Sequence, residues 1–142
     1  MTLGKTSIIL ADDHAIVRRG VRALLEYEPD FHIVAEATDG VEALSLIERL
    51  KPDVVVTDLC MPAMSGIELM RALKSRGSEV RTIVLTMCGD GPYVASALEA
   101  GAFGYILKEA GVEHLVSAIR EARAGRRYFS PPISDGTPFT SG

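Results

Sequence analysis

The chain has 142 residues with 15 Lys+Arg against 19 Asp+Glu, a net charge of −4, and 47% apolar side chains. That composition excludes intrinsic disorder for most of the chain, suits one globular domain that buries about two-thirds of its extended surface, and leaves no basic footprint for nucleic acid. No apolar stretch approaches the roughly 20 residues of a bilayer span, and the first residues lack a signal-peptide pattern, so a cytoplasmic location is expected. Two cysteines, Cys60 and Cys88, are too few for a disulfide framework, and a reducing compartment is the expectation.

Apolar β-branched runs alternate with amphipathic stretches along the chain. The runs Ser7–Ala11, His32–Glu36, Asp53–Thr57, Arg81–Leu85 and Ala102–Leu107 read as strands. The first, third and fourth are continuously apolar, as parallel strands covered on both faces are, whereas residues 33–37 alternate and suit an edge. Val17, Val21, Leu24 and Leu25 form the buried stripe of a helix over 14–28. A second stripe, Ala43, Leu44, Ile47 and Leu50, follows Asp39-Gly40, and a third, Ile67, Met70 and Leu73, ends at Gly77. Pro92 begins a fourth helix carrying Val94, Ala97 and Leu98 and closed by Gly101, and Val112, Leu115, Val116, Ile119 and Ala122 mark a fifth. Short connections between strand and helix imply right-handed crossovers. From Ser130 the composition turns to proline and small residues, so the expectation is a domain over 1–129 and a linker tail over 130–142, to which a further domain is joined in the native gene product.

In an open parallel sheet the ligand crevice lies beyond the strands' C-terminal ends. The first strand ends in Asp12-Asp13, the third in Asp58, the fourth in Thr86 and the fifth in Lys108. Singly, each has an ordinary explanation: Asp13 as a helix cap, Thr86 as a strand end, Lys108 as a solvated lysine. Together they form a cluster in which three carboxylates within about 4–6 Å repel by several kcal/mol and need a cation. Oxygen-only ligands open to water favour Mg2+; His14 would recruit a softer metal only with a second His or Cys at ligand spacing. Lys108 and Thr86 then suit phosphate oxygens, and a carboxylate can itself be the nucleophile, for which Asp58 on the central strand is the best placed.

Asp12-Asp13, Asp58-Leu59-Cys60-Met61-Pro62 with Gly66, Thr86, and Tyr105-Ile106-Leu107-Lys108 resemble the receiver domain of bacterial two-component response regulators over residues 5 to 129. The resemblance implies a five-stranded parallel sheet of order 2-1-3-4-5 in a flavodoxin-like, doubly wound α/β fold. It makes Asp58 the phosphoacceptor from a sensor histidine kinase, and Asp12, Asp13, Asp58 and the Cys60 backbone carbonyl the Mg2+ site. Lys108 would pair with the phosphoryl group, and Thr86 and Tyr105 would be the switch residues shifting the surface of the fourth and fifth helices and fifth strand. Residues 101–110 and 125–131 are similar to the NarL/FixJ (LuxR-type) branch, in which a helix-turn-helix domain follows. DNA binding and transcription regulation would then belong to that missing domain, and homodimerisation on phosphorylation is left open. Such a domain turns over no external metabolite and is not an enzyme beyond its own phosphorylation and slow dephosphorylation.

Three alternatives stand beside this. An aspartyl-phosphate phosphohydrolase would carry an acid two residues after the nucleophile, where this chain has Cys60, and a cap domain that 142 residues do not provide. A flavodoxin-type carrier needs a Gly/Ser/Thr-rich phosphate loop where Asp12-Asp13-His14 stands. A receiver that only binds partners would not need the complete acidic set. Cys60 and Cys88 should flank the site as small side chains that tune access; a disulfide between them would require Cα atoms within about 7 Å. His32 and His114 read as surface or packing residues without partners. Arg18, Arg19 and Arg22, and Arg120, Arg123, Arg126 and Arg127, read as solvated faces, the first where a kinase helix would dock.

Overall fold

The computed structural model describes residues 5–87 and 89–130. The runs of apolar residues become β1 (Thr6–Ala11), β2 (Phe31–Ala37), β3 (Val54–Thr57), β4 (Arg81–Thr86) and β5 (Gly104–Leu107). Between and after them lie α1 (Ala15–Glu26), α2 (Gly40–Leu50), α3 (Gly66–Ser75), α4 (Gly91–Glu99) and α5 (His114–Arg123). All strands are parallel and ordered β2-β1-β3-β4-β5, followed by a two-residue β6 (Tyr128–Phe129) that sequence reading did not anticipate. Two residues are too few to show a period, and their pairing depends on β5 alone.

The continuous apolar runs are explained by two covered faces. Ile8, Leu10, Val54, Val56, Ile83, Leu85 and Ile106 pack with Val21 and Leu25 of α1 and Leu115, Ala118, Ile119 and Ala122 of α5. The alternate residues face the other way, Ile9, Ala11 and Val55 against α2 and α3, and Val84, Tyr105 and Leu107 against α3 and α4. β2 is the edge its alternation suggested.

Helix ends follow local chemistry. Asp39 caps α2 by accepting from the Glu42 amide, and Ser65 and Glu68 close a reciprocal capping box on α3. α1 begins one residue later than expected and ends two earlier, its cap position held by His14 rather than Asp13. Leu50, expected in the buried stripe of α2, is 43% exposed: it is the last residue of the helix, which Lys51 ends by turning left-handed. Val112 precedes α5 and is only partly buried. Among the described residues no helix is long and apolar enough to cross a membrane.

The packed fold runs through Ser130, which is fully buried. The tail beyond it, expected to be a linker, lies outside the described residues, as do Cys88 and the first four residues.

Candidate functional site at the strand ends

Topology brings the acidic residues together. Ala11 and Thr57 are the last paired residues of the adjacent strands β1 and β3, so the next residue of each, Asp12 and Asp58, emerge side by side. Their backbones are fixed by bonds from the Asp12 amide to the Ala37 carbonyl (3.1 Å) and from the Asp58 amide to the Ala11 carbonyl (3.0 Å). Both side chains are buried, at 8% and 5% exposure. Lys108 leaves the end of β5, and its flexible stem crosses β4 to place Nζ 2.9 Å from Asp58 Oδ2 and 3.2 Å from Asp12 Oδ2. Burial pushes the lysine down, but hydrogen bonding and charge from Asp58 and Asp12 outweigh it, and its pKa is raised.

The carboxylate of Asp58 is oriented from the other side. Its Oδ1 accepts from the amides of Leu59 (2.6 Å) and Cys60 (3.2 Å), which leaves Oδ2 toward Lys108. The following loop is folded back tightly: the Gly66 amide donates to the Leu59 carbonyl (2.9 Å), and a Cβ at Gly66 would sit 2.2 Å from the Asp58 carbonyl oxygen. Only glycine permits that approach. Ala63 within this loop holds a left-handed φ of 67°, a conformation costly for a residue with a Cβ.

Asp13 stands at the exposed rim. His14 Nδ1 lies 3.1 Å from Asp12 Oδ1 and 3.2 Å from Asp13 Oδ1, and the His14 amide donates to Asp12 Oδ1 at 2.8 Å. Asp12, His14 and Asp58 each offer an atom within 4.8 Å of the others, a closer association of His14 with the cluster than its sequence position suggested. Thr86 ends β4 opposite Leu107, beside Lys108, and is buried. Tyr105 is fully buried on the face covered by α3 and α4, among Leu59, Met70, Val84, Val94 and Ala97. Cys60 is exposed at the site's edge; the pairing considered with Cys88 falls outside the described residues.

Sequence reasoning missed Arg18. Read as part of a solvated face, it instead donates from Nη1 to the Asp12 carbonyl (2.7 Å) and from Nε to Glu36 Oε1 (2.7 Å), while Arg22 bonds Glu36 Oε2 (2.6 Å). Burial raises the Glu36 pKa, but the two guanidiniums outweigh it, and its carboxyl is held below the usual range. Helical spacing could have shown that Arg18 and Arg22 share a face, but not that Glu36 of β2 faces them. The other arginines are partly engaged too: Arg120 with Glu28 and Asp30, Arg123 with Asp53, and Arg126 with Glu121. His114 has a partner as well, Tyr128 Oη at 2.6 Å. A wider groove at the opposite end of the sheet contains none of the expected site residues.

Comparison with known proteins decides the family. The profile of the response regulator receiver domain matches residues 8–120. The chain belongs to that family. Among relatives, this receiver domain is 38% identical over 130 residues to the transcriptional regulatory protein DegU of Brevibacillus brevis, covering 92% of this chain and 55% of DegU. It is 41% identical over 127 residues to the nitrate/nitrite response regulator protein NarP of Escherichia coli K12, covering 89% and 59%. It superposes on a LuxR-family two-component response regulator from Aurantimonas sp. SI85-9A1 with a TM-score of 0.87 at 42% identity, covering 92% and 93% of the two chains. On the signal receiver domain of the response regulator NarL from Mycobacterium tuberculosis the TM-score is 0.84 at 32% identity, covering 87% and 100%. The receiver domain thus spans less than two thirds of the length of curated relatives such as DegU and NarP. Its flavodoxin-like fold, two-component signalling class and NarL/LuxR-type relationship are those expected from the sequence. Receiver domains of response regulators are generally not true enzymes.

Proposed function

We propose that Asp58 takes a phosphoryl group from the phosphohistidine of a sensor histidine kinase. The observation that carries this is the placement of the Asp58 carboxylate, with Oδ1 held by two backbone amides and Oδ2 against Lys108. Oδ2 attacks phosphorus, the P–N bond breaks, the electron pair leaves with the imidazole, and an acyl phosphate forms on Asp58. The Lys108 ammonium pairs with a phosphoryl oxygen, and the Thr86 hydroxyl donates to another. The two amides keep Oδ1 from rotating away, so the nucleophile is positioned before the donor arrives.

The donor set fits a hard dication. Asp12, Asp13 and Asp58 bring three carboxylates against one ammonium, leaving two negative charges at a rim where Asp13 is open to water. Asp12, Asp13, Asp58 and the Cys60 carbonyl would hold Mg2+, with His14 close enough to compete for the same carboxylates. Bound there, the cation would supply neutralising charge to the phosphoryl oxygens.

The acyl phosphate then biases Thr86 and Tyr105 and with them the surface of α4, β5 and α5. The domain expected over residues 1–129 acts as the phosphoacceptor and takes in the buried Ser130 as well, and 131–142 act as the link to an output domain through which DNA is bound. The setting is cytoplasmic, the chain catalyses only its own phosphorylation and slow dephosphorylation, and this surface is where a homodimer would form on phosphorylation. The phosphohydrolase alternative is disfavoured because two residues beyond Asp58 stands Cys60, whose amide serves the carboxylate and whose thiol is a poor acid.

The test is incubation with phosphoramidate or acetyl phosphate and Mg2+, followed by intact-mass measurement. A gain of one phosphoryl group, absent in Asp58→Asn and prevented by chelation, is expected. No gain with either donor would overturn the proposal.

A further inference from the structure

Lys108 has to be held against two carboxylates from the residue that follows an edge-proximal strand, and the structure shows what steadies it. β6 runs parallel to β5: the Tyr128 amide donates to the Phe103 carbonyl (2.9 Å) and the Ser130 amide to the Tyr105 carbonyl (3.1 Å). The next donor along β5 is the Leu107 amide, immediately before Lys108, and it donates to Ser130 Oγ at 3.0 Å. Ser130 is fully buried, so water cannot replace this acceptor without opening the segment. On the other side, the Gly111 amide donates to the Lys108 carbonyl at 3.3 Å. The peptide carrying Lys108 is therefore pinned before the residue by Ser130 and after it by a single 3-10 turn.

We propose that Ser130 is a positioning residue of the phosphorylation site: its hydroxyl fixes the end of β5 so that the Lys108 ammonium meets the phosphoryl group carried by Asp58. The inference rests on the phosphoacceptor role proposed for Asp58. Ser130 touches neither the carboxylates nor the donor and acts only through the Leu107–Lys108 peptide. Because coupling is reciprocal, a movement of Lys108 is felt at Ser130.

The strap offers its own control. Tyr128 bonds His114 through its hydroxyl, so Tyr128→Phe loosens β6 without touching the acceptor of the Leu107 amide, whereas Ser130→Ala removes that acceptor. Both variants and the wild-type chain are phosphorylated with phosphoramidate under conditions where circular dichroism shows each folded, and Mg2+ affinity is measured by NMR titration. The maximum rate should fall by about three- to tenfold in Ser130→Ala, the loss expected of one hydrogen bond's worth of positioning. In that variant the Leu107 amide should shift and exchange faster with solvent. In Tyr128→Phe the rate should stay within about twofold, and Mg2+ affinity should be similarly unchanged in both, because Asp12, Asp13 and Asp58 are untouched. An unchanged rate in Ser130→Ala, an equal fall in Tyr128→Phe, or a parallel loss of Mg2+ affinity would overturn the inference. A wild-type chain that accepts no phosphoryl group would instead remove the reading beneath it.

Discussion

Replacing Lys108 by Met keeps most of the apolar stem and removes the ammonium that separates two buried carboxylates. In the wild-type chain Nζ lies 2.9 Å from Asp58 Oδ2 and 3.2 Å from Asp12 Oδ2, with all three side chains at most 11% exposed. At an effective dielectric near 20, each contact is a gross attraction of about 5–6 kcal/mol, offset by several kcal/mol for taking the ammonium out of water. Without it, Asp12 and Asp58 offer oxygens within 4.8 Å of each other. Their repulsion is then at least about 3 kcal/mol on the same scale, consistent with the usual cost of breaking a buried pair. Urea unfolding at neutral pH should therefore show Lys108→Met about 3 kcal/mol less stable than wild type in the presence of a chelator. Mg2+ should recover most of that loss and stabilise the variant more than the wild type, since the dication replaces the missing charge. A variant within about 0.5 kcal/mol of wild type in chelator, or an equal Mg2+ benefit in both proteins, would refute the electrostatic account.

Gly66→Ala would place a Cβ 2.2 Å from the Asp58 carbonyl oxygen and 2.9 Å from Leu59 Cα. Both obstacles are backbone, so a loss of about 2–3 kcal/mol by urea unfolding is expected, together with slower phosphorylation as the loop is pushed off Asp58. Glu36→Gln should cost about 1 kcal/mol at neutral pH. Glu36 has a folded pKa below its ordinary 4.5, so its contribution is fully present above that value and is lost as pH falls through the folded pKa. The stability difference between Glu36→Gln and wild type should close on acidification, and a difference independent of pH would contradict the pairing with Arg18 and Arg22. Lys108 has the opposite sign: its pKa is raised, so its contribution is complete below 10.5 and is lost as pH rises through the folded value. The wild-type chain should lose more stability at high alkaline pH than Lys108→Met does, as measured by urea unfolding across that range.

The architecture was legible because its signals are local and repeated. Ile8, Ile9 and Leu10 are apolar in succession since β1 is covered on both faces, and the stripe from Leu115 to Ala122 could belong only to a helix with one buried side. The meeting of the candidate residues was legible for a topological reason: residues at the ends of parallel strands share one rim, so Asp12, Asp58 and Lys108 come together despite their separation in sequence. What escaped depended on partners that no local pattern names. Arg18 looks like its neighbour Arg19 until β2 brings Glu36 beside it, and Ser130 looks like the first residue of a linker until its hydroxyl is found on the Leu107 amide. Leu50 satisfied the spacing of α2 but lies where Lys51 ends the helix, so periodicity alone overextended the buried face.

Phosphotransfer to this domain turns on one carboxylate, and reductive trapping reads it directly. The chain is treated with phosphoramidate and Mg2+, reduced with borohydride, and sequenced by peptide mass spectrometry. Borohydride delivers one hydride to the acyl phosphate carbon and expels phosphate, and a second hydride followed by protonation reduces the resulting aldehyde to the alcohol, so the phosphorylated aspartate becomes homoserine. Homoserine at position 58, absent without Mg2+, is the predicted result. Homoserine at Asp12 or Asp13, or a phosphoryl group retained on His14 with position 58 unaltered, would contradict it.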